Sequence, residues 1–335
     1  MSPAPPDLGE FELIRRYFVR GGAAESGVIL GIGDDAAILR PAAGMDLVAA
    51  VDTIVAGRHF PEGAGARSIG HRALAVNLSD IAAMGATPAW ATLALTLPSA
   101  DPAWLEGFSA GLLALADAHS VALVGGDTTR GPLAASVQIL GIVPHGTALR
   151  RSGARAGDLL VVSGTLGDAG AGLKFLAQPP PNAKRADVDE LVRRFEYPTP
   201  RVAMGLCARG IATAAMDLSD GLVGDLPKLA QASDLSARVH VDRLPLSQAL
   251  RACVSGERAI DLALAAGDDY ELLLAVPPKR YAELEAAAHR LNLMLTAIGE
   301  LNSGSGVTWL LDGRKFAPRV QGFDHFARAS TQITV

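Results

Sequence analysis

The sequence predicts an α/β protein of two domains, and three observations carry that reading. At 335 residues the chain is long for a single hydrophobic core. Helical periodicities and short apolar runs of strand length succeed one another along its whole length. A basic, glycine-containing connector at 144–158 interrupts this succession, and a fresh strand follows it. We therefore place the domain boundary there, with residues 1–148 in the first domain and 149–330 in the second. Hydrophobic residues make up 49% of the chain but aromatics only 5%, so both cores must be built from Ala, Val and Leu.

In order, 10–19 is an amphipathic helix with Phe11, Leu13, Ile14, Tyr17 and Phe18 on its apolar side, ended by Gly21-Gly22. Gly31-Ile32-Gly33-Asp34-Asp35 reads as a tight turn entering a strand. Adjacent carboxylates in an extended chain point to opposite sides, so one of Asp34 and Asp35 faces a given site. A strand at 47–51 delivers Asp52 at its end. The glycine loop after it carries His59, either a phosphate donor or a surface histidine. Residues 73–85 form an apolar helix stopped by Gly85 and then Pro88. Asn77 and Asp80 lie three apart on one face of it. A carboxylate among Ala, Leu and Ile needs a partner: a loop amide or a metal ion. A strand at 90–97 precedes a helix at 101–119, capped by Asp101 with Pro102 in the first turn. A strand from 121 runs into Gly125-Gly126-Asp127-Thr128-Thr129, which exposes backbone N–H groups to oxygen and a carboxylate to a cation. Another strand covers 135–143.

The second half restarts with a strand at 159–163. The glycine-rich run 164–174 turns into a helix but lacks the spacing of a P-loop. Residues 178–194 read as a surface excursion. A helix at 201–209 and a strand at 211–216 lead to Asp217-Leu218-Ser219-Asp220-Gly221. This segment either repeats the acidic strand-end chemistry of the first half or uses Asp220 as a helix cap. A strand near 237–241, helices near Ser247 and Ala259, and an acidic turn at 265–271 feeding a strand to 276 follow. A helix at 278–291, strands at 294–298 and 306–311, and the tail Gly322-Phe323-Asp324-His325-Phe326 complete the chain.

The net charge of −5 argues against nucleic-acid binding, which demands a basic surface. Two separated cysteines imply neither a disulfide framework nor a zinc knuckle. No secretory signal and no membrane-length apolar run is visible, so the expectation is a soluble, cytoplasmic protein. Seven acids, Asp34, Asp35, Asp52, Asp80, Asp127, Asp217 and Asp220, occupy strand ends, glycine turns or a buried helix face. Carboxylates gathered in this way tolerate one another only with bound cations. Oxygen donors without His or Cys point to Mg²⁺, which usually brings substrate phosphates. The expectation is a Mg²⁺-dependent nucleotide enzyme without a P-loop.

The motifs 31–36, 51–60, 77–86, Gly125-Gly126-Asp127-Thr128-Thr129-Arg130-Gly131, Asp217-Leu218-Ser219-Asp220-Gly221-Leu222 and Asp269-Tyr270-Glu271-Leu272 resemble, in order, those of the thiamine-monophosphate kinases. That family lies in the superfamily of aminoimidazole ribonucleotide synthetase. The resemblance implies transfer of the ATP γ-phosphoryl group to thiamine monophosphate. Several Mg²⁺ ions would be held by Asp35, Asp52, Asp80, Asp127, Asp217 and Asp220, with Asp80 bridging more than one. Ala50 and Val51 stand where relatives often carry Ser or Thr and would offer only backbone carbonyls. Gly126, Asp127, Arg151 and Ser219 would contact ATP. His59, Asp268 and Phe323 would lie on the thiamine phosphate side, with Asp268 standing where the family usually has Glu. The implied fold is an N-terminal α/β domain, whose sheet pairs with a second subunit into a barrel at the dimer interface, and a C-terminal α/β domain. No general base is expected, because the acceptor is already an anionic phosphate oxygen. The competing expectations are a superfamily kinase or synthetase with another acceptor, and a non-catalytic metal-binding dimer.

Overall fold

The computed structural model describes residues 10–19, 27–320 and 322. The chain divides into two compact units, Met1–Ile81 with Thr87–His145, and Ala82–Ala86 with Gly146–Val335. Both mix helices and strands, and neither principal sheet closes on itself.

The first unit runs α1 (Glu10–Tyr17), β1 (Val28–Leu30), β2 (Ile38–Leu39), β3 (Met45–Val55), α2 (Ala66–Ala83), β4 (Thr87–Leu97), α3 (Pro102–Ala118), β5 (Ala122–Arg130) and β6 (Ala134–Pro144). Its four-stranded sheet has the order β3-β6-β4-β5, with only β4 and β5 parallel. The parallel pair requires a crossover, and α3 supplies it. That helix starts where its sequence says: Asp101 accepts the Ala103 N–H at 3.0 Å and Pro102 takes the first turn. Leu105, Phe108, Leu112 and Leu115 then recur at helical spacing and are buried. α2 and α3 approach so closely that a Cβ on Gly70 would lie 2.0 Å from the Phe108 carbonyl oxygen, and one on Gly111 2.0 Å from that of Arg67. Glycine at both positions therefore lets the two backbones touch.

Two expectations change here. β3 continues through Val51-Asp52-Thr53-Ile54, so Asp52 lies inside the strand rather than at its end. The β-branched run Thr53-Ile54-Val55 explains the extension. Likewise Gly125-Gly126-Asp127-Thr128-Thr129 continues β5 to Arg130, so Asp127 too lies inside its strand. Gly126 makes this possible, since a Cβ there would meet the Leu93 carbonyl oxygen at 1.9 Å.

The second unit runs β7 (Leu159–Ser163), α4 (Asp168–Ala177), α5 (Arg185–Glu196), α6 (Val202–Ala208), β8 (Ala214–Leu218), α7 (Leu222–Ala232), β9 (Leu235–His240), α8 (Gln248–Cys253), α9 (Gly256–Ala265), β10 (Glu271–Val276), α10 (Tyr281–Arg290), β11 (Leu295–Ser303), β12 (Val307–Leu311) and β13 (Arg314–Phe316). The strands form one seven-stranded sheet, β13-β12-β9-β11-β7-β10-β8, antiparallel except between β12 and β9. All six residues of β10 are buried, as its unbroken apolar run Leu272–Val276 requires. The segment read as a surface excursion holds most of α5, which buries Val188, Leu191 and Phe195 at i, i+3 and i+7. Among the described residues, no helix is long and apolar enough to cross a membrane.

Candidate active site

In the first unit, α2 meets β3 through Asn77. This fully buried amide accepts the Asp52 N–H on Oδ1 at 3.0 Å and donates from Nδ2 to the Ala73 carbonyl at 3.0 Å. Asn77 is thus committed to holding the strand in place, and the Asp52 side chain is left exposed. Asp80, one turn on, is half-buried rather than deep in the apolar core; the fully buried polar groups here are Asn77 and Ser79. Asp34 spends one carboxylate oxygen on the Asp35 N–H at 2.8 Å, which makes it a turn cap, and both acids of the pair are exposed.

β3 and β5 are the two edges of their sheet, so each leaves alternate amides and carbonyls outside the ladder. Ala50 and Val51 pair with Ile139 and Gln138, and Asp52 pairs with Val137. Gly126 and Asp127 pair with Leu93 and Ala94 at the opposite edge, and the Asp127 side chain is exposed. Three interstrand spacings, about 14 Å in all, separate the two edges. Asp52 and Asp127 of one chain are therefore too far apart to share an ion. Following β3, His59 is half-buried and takes the Val55 N–H on Nδ1 at 3.0 Å. That bond leaves Nε2 as the nitrogen that carries the proton in the neutral ring.

In the second unit, three segments meet at one end of the sheet: the one leaving β7, the one leaving β8 and the one entering β10. Asp217 is buried near the end of β8. The turn after it is organised by Asp225, whose Oδ2 accepts the N–H groups of Ser219 at 3.1 Å and Asp220 at 2.9 Å. Lys228 donates to Asp220 at 2.7 Å and to Asp225 at 2.9 Å. Asp220 is accordingly no cap of α7 but one arm of an ion pair, and Gly221 takes the cap position. Asp268 is half-buried in the left-handed region at φ 62°. Its N–H donates to the Ser219 carbonyl at 2.9 Å and its Oδ1 accepts the Tyr270 hydroxyl at 3.1 Å. The Arg151 side chain is exposed on a segment held by Ser233, whose hydroxyl donates to the Arg151 carbonyl at 2.9 Å. Phe323 lies outside the described residues.

Sequence reasoning passed over a buried polar group behind this end of the sheet. Asp269 accepts the N–H groups of Gly167 at 2.7 Å and Ala169 at 3.2 Å. Glu271, fully buried, accepts from Arg194 at 2.8 Å, from Arg201 Nε at 2.6 Å and from the Ser163 hydroxyl at 2.7 Å. These partners lie far apart in sequence, so only Asp225 with Lys228, at i and i+3, left a local signal. Burial pushes Asp269 up to about 8; Asp168 acts in the same direction, while the two amides and Arg194 pull it down. A carboxyl raised in the folded state binds its proton more tightly there than in the unfolded chain. It therefore stabilises the fold most at low pH and progressively less as pH rises from about 4 to about 8. Melting temperatures of wild type and Asp269→Asn should thus diverge with pH across that window, with the wild type losing ground as pH rises. Parallel curves would show Asp269 ionised throughout.

Among the described residues, no three His, Cys, Asp or Glu side chains are gathered closely enough to hold one metal ion. Both units supply carboxylates singly or in pairs, on exposed strand edges and at a strand-end turn.

Residues 33–143 match the N-terminal domain of the AIR synthase related proteins and residues 155–311 the C-terminal domain. The thiamine-monophosphate kinase of Escherichia coli (strain K12) is 46% identical over 320 residues, covering 95% of this chain and 98% of its own. That of Bacillus subtilis (strain 168) is 33% identical, covering 95% and 100%. The crystal structure of thiamine-monophosphate kinase from Stenotrophomonas maltophilia K279a superposes with a TM-score of 0.81 at 49% identity, covering 86% of this chain and 92% of that one. AaThiL complexed with AMPPCP and TMP superposes with a TM-score of 0.76 at 32% identity, covering 86% and 89%. The chain belongs to the thiamine-monophosphate kinase family, within the AIR synthase related proteins.

Proposed function

We propose that this protein transfers the γ-phosphoryl group of ATP to the phosphate of thiamine monophosphate, giving thiamine diphosphate and ADP. One observation carries the reading: the likeness to a thiamine-monophosphate kinase extends over 95% of this chain and 98% of the relative. A relative of the same fold, AaThiL, is complexed with AMPPCP and TMP together, which fits one nucleotide and one acceptor per site.

The acceptor oxygen is already anionic, so the chemistry is positioning and charge neutralisation rather than proton abstraction. The residues fit Mg²⁺. Their donors are carboxylate oxygens, and Mg²⁺ is usually held by one or two carboxylates, with waters and substrate phosphates completing its shell. Dispersed acids on strand edges suit that requirement better than a closed cage. Asp35, Asp52, Asp80 and Asp127 of the first unit, with whichever backbone carbonyl of Ala50 and Val51 the ladder leaves free, would hold ions, as would Asp217 and Asp220 of the second. Because of the width of the sheet, Asp52 and Asp127 of one chain serve different ions. Mg²⁺ held by these residues would supply neutralisation of the phosphate charge. Gly126, Asp127, Arg151 and Ser219 serve ATP. His59 offers Nε2–H to the thiamine phosphate side, where Asp268 and Phe323 also belong.

Residues 1–148 are the ATP- and Mg²⁺-binding and dimerisation domain, and 149–330 the C-terminal domain. Leu47 and Val51, 53% and 63% exposed on one face of β3, support pairing of that sheet with a second copy into a barrel. The protein works in the cytoplasm.

The test is an assay of purified protein with ATP, Mg²⁺ and thiamine monophosphate, beside free thiamine and no acceptor. ADP formation should require thiamine monophosphate, vanish with chelator and return with added Mg²⁺; turnover without the acceptor would sink the reading. Asp268→Ala should raise the KM for thiamine monophosphate about 10-fold, the scale of one hydrogen bond to a charged group, and leave that for ATP little changed. An unaltered KM would remove Asp268 from the acceptor side.

A further inference from the structure

The glycine-rich run 164–172 has the composition of a phosphate loop, yet its anion position is filled from within. The start of α4 gathers backbone N–H groups and the positive end of the helix dipole, the setting that attracts phosphate elsewhere. Here the two amides, Gly167 and Ala169, donate to the two oxygens of Asp269. Gly167 is needed for this fit: its φ is 86°, and a Cβ would lie 2.7 Å from the Ala263 nitrogen.

Asp269 sits between two residues in the left-handed region, Asp268 at φ 62° and Tyr270 at φ 51°. Non-glycine residues seldom adopt that conformation, and two in three positions persist only where their surroundings enforce it. The surroundings are all visible. Asp268 N–H donates to the Ser219 carbonyl at 2.9 Å and Tyr270 N–H to the Leu218 carbonyl at 3.0 Å. The Tyr270 hydroxyl holds Asp268 Oδ1, and a Cβ on Gly267 would meet the Ser219 carbonyl oxygen at 2.5 Å. The turn is thus pinned to the β8 end by backbone bonds and to α4 by one side chain.

We propose that Asp269 is a positioning residue: its carboxyl accepts the two backbone N–H groups at the start of α4 and thereby sets the reach of Asp268 toward the acceptor. This rests on the acceptor-side role given to Asp268 above. Asp269 itself is buried, and it already occupies the amides that an external phosphate would need.

The experiment uses the full chain with Asp269→Asn, Asp268→Ala and the double variant. Asparagine keeps the shape but presents one N–H₂ to an amide donor, so one of the two bonds is lost. Asp269→Asn should raise the KM for thiamine monophosphate about 10-fold, as Asp268→Ala does, for the same lost contact. The double variant should be no worse than Asp268→Ala, because the first change acts through the second. Amide exchange in residues 266–270 should accelerate in Asp269→Asn whether or not the enzyme turns over. Additive effects on KM, or unchanged exchange in that segment, would overturn the proposal. Should wild type fail to phosphorylate thiamine monophosphate, the functional reading falls and the exchange measurement alone decides the role of Asp269.

Discussion

Glu271→Gln should lower the stability of the second unit by about 3–5 kcal/mol, the penalty for removing one partner from a buried ion network. Burial pushes the Glu271 carboxyl up, but Arg201 and Arg194 outweigh it and hold it below the usual carboxylate range. Glutamine keeps the volume and some hydrogen bonds but takes the facing charge from Arg201 and leaves Arg194 with the more distant Asp168 carboxylate, 3.7 Å from its Nε. Arg194 is itself 8% exposed, so water cannot make up the loss. The site has no slack for rearrangement, since a Cβ on Gly164 would lie 2.2 Å from Glu271 Oε1. Denaturant unfolding decides it: the midpoint should fall with little change in slope. A loss below about 1 kcal/mol, the range of exposed ion pairs, would mean the guanidinium groups find other partners.

Asp127→Asn should behave in the opposite way. Its side chain is exposed on an edge strand, so the melting temperature should stay close to that of wild type. The turnover number should fall about 10²-fold or more, the scale of losing one strong electrostatic stabiliser. Steady-state kinetics and a thermal melt on the same preparation separate the two effects. A change of only a few-fold with an unaltered melt would remove Asp127 from the phosphoryl-transfer machinery.

Much of the fold was legible from local signals. The Asp101 cap with Pro102 announced α3, and uninterrupted aliphatic runs announced β7 and β10. What escaped was decided by partners distant in sequence. Gly125-Gly126 reads as the end of a strand until β4 is seen pressing against it. The prolines and charges of 178–187 masked the helical spacing of Val188, Leu191 and Phe195. The acids were legible as a set, but not their separation: no local pattern reveals that Asp52 and Asp127 stand on opposite edges of one sheet. Asp269 and Glu271 were hidden for a related reason, since their donors at Gly167 and Ser163 lie 102 and 108 residues away.

That last separation bears on how the chain matures during synthesis. β3, β4, β5 and β6 all fall within Met45–Pro144, so the first sheet can assemble as soon as that stretch has emerged. β7 emerges next but is flanked in its sheet by β10 and β11, and Ser163 waits 108 residues for Glu271. At ribosomal rates of about 5–20 residues per second, the wait lasts roughly 5–20 s. Throughout it the apolar strand Leu159–Ser163 has neither hydrogen-bonding neighbour available, which leaves an unpaired apolar strand of the kind that favours aggregation in a nascent chain.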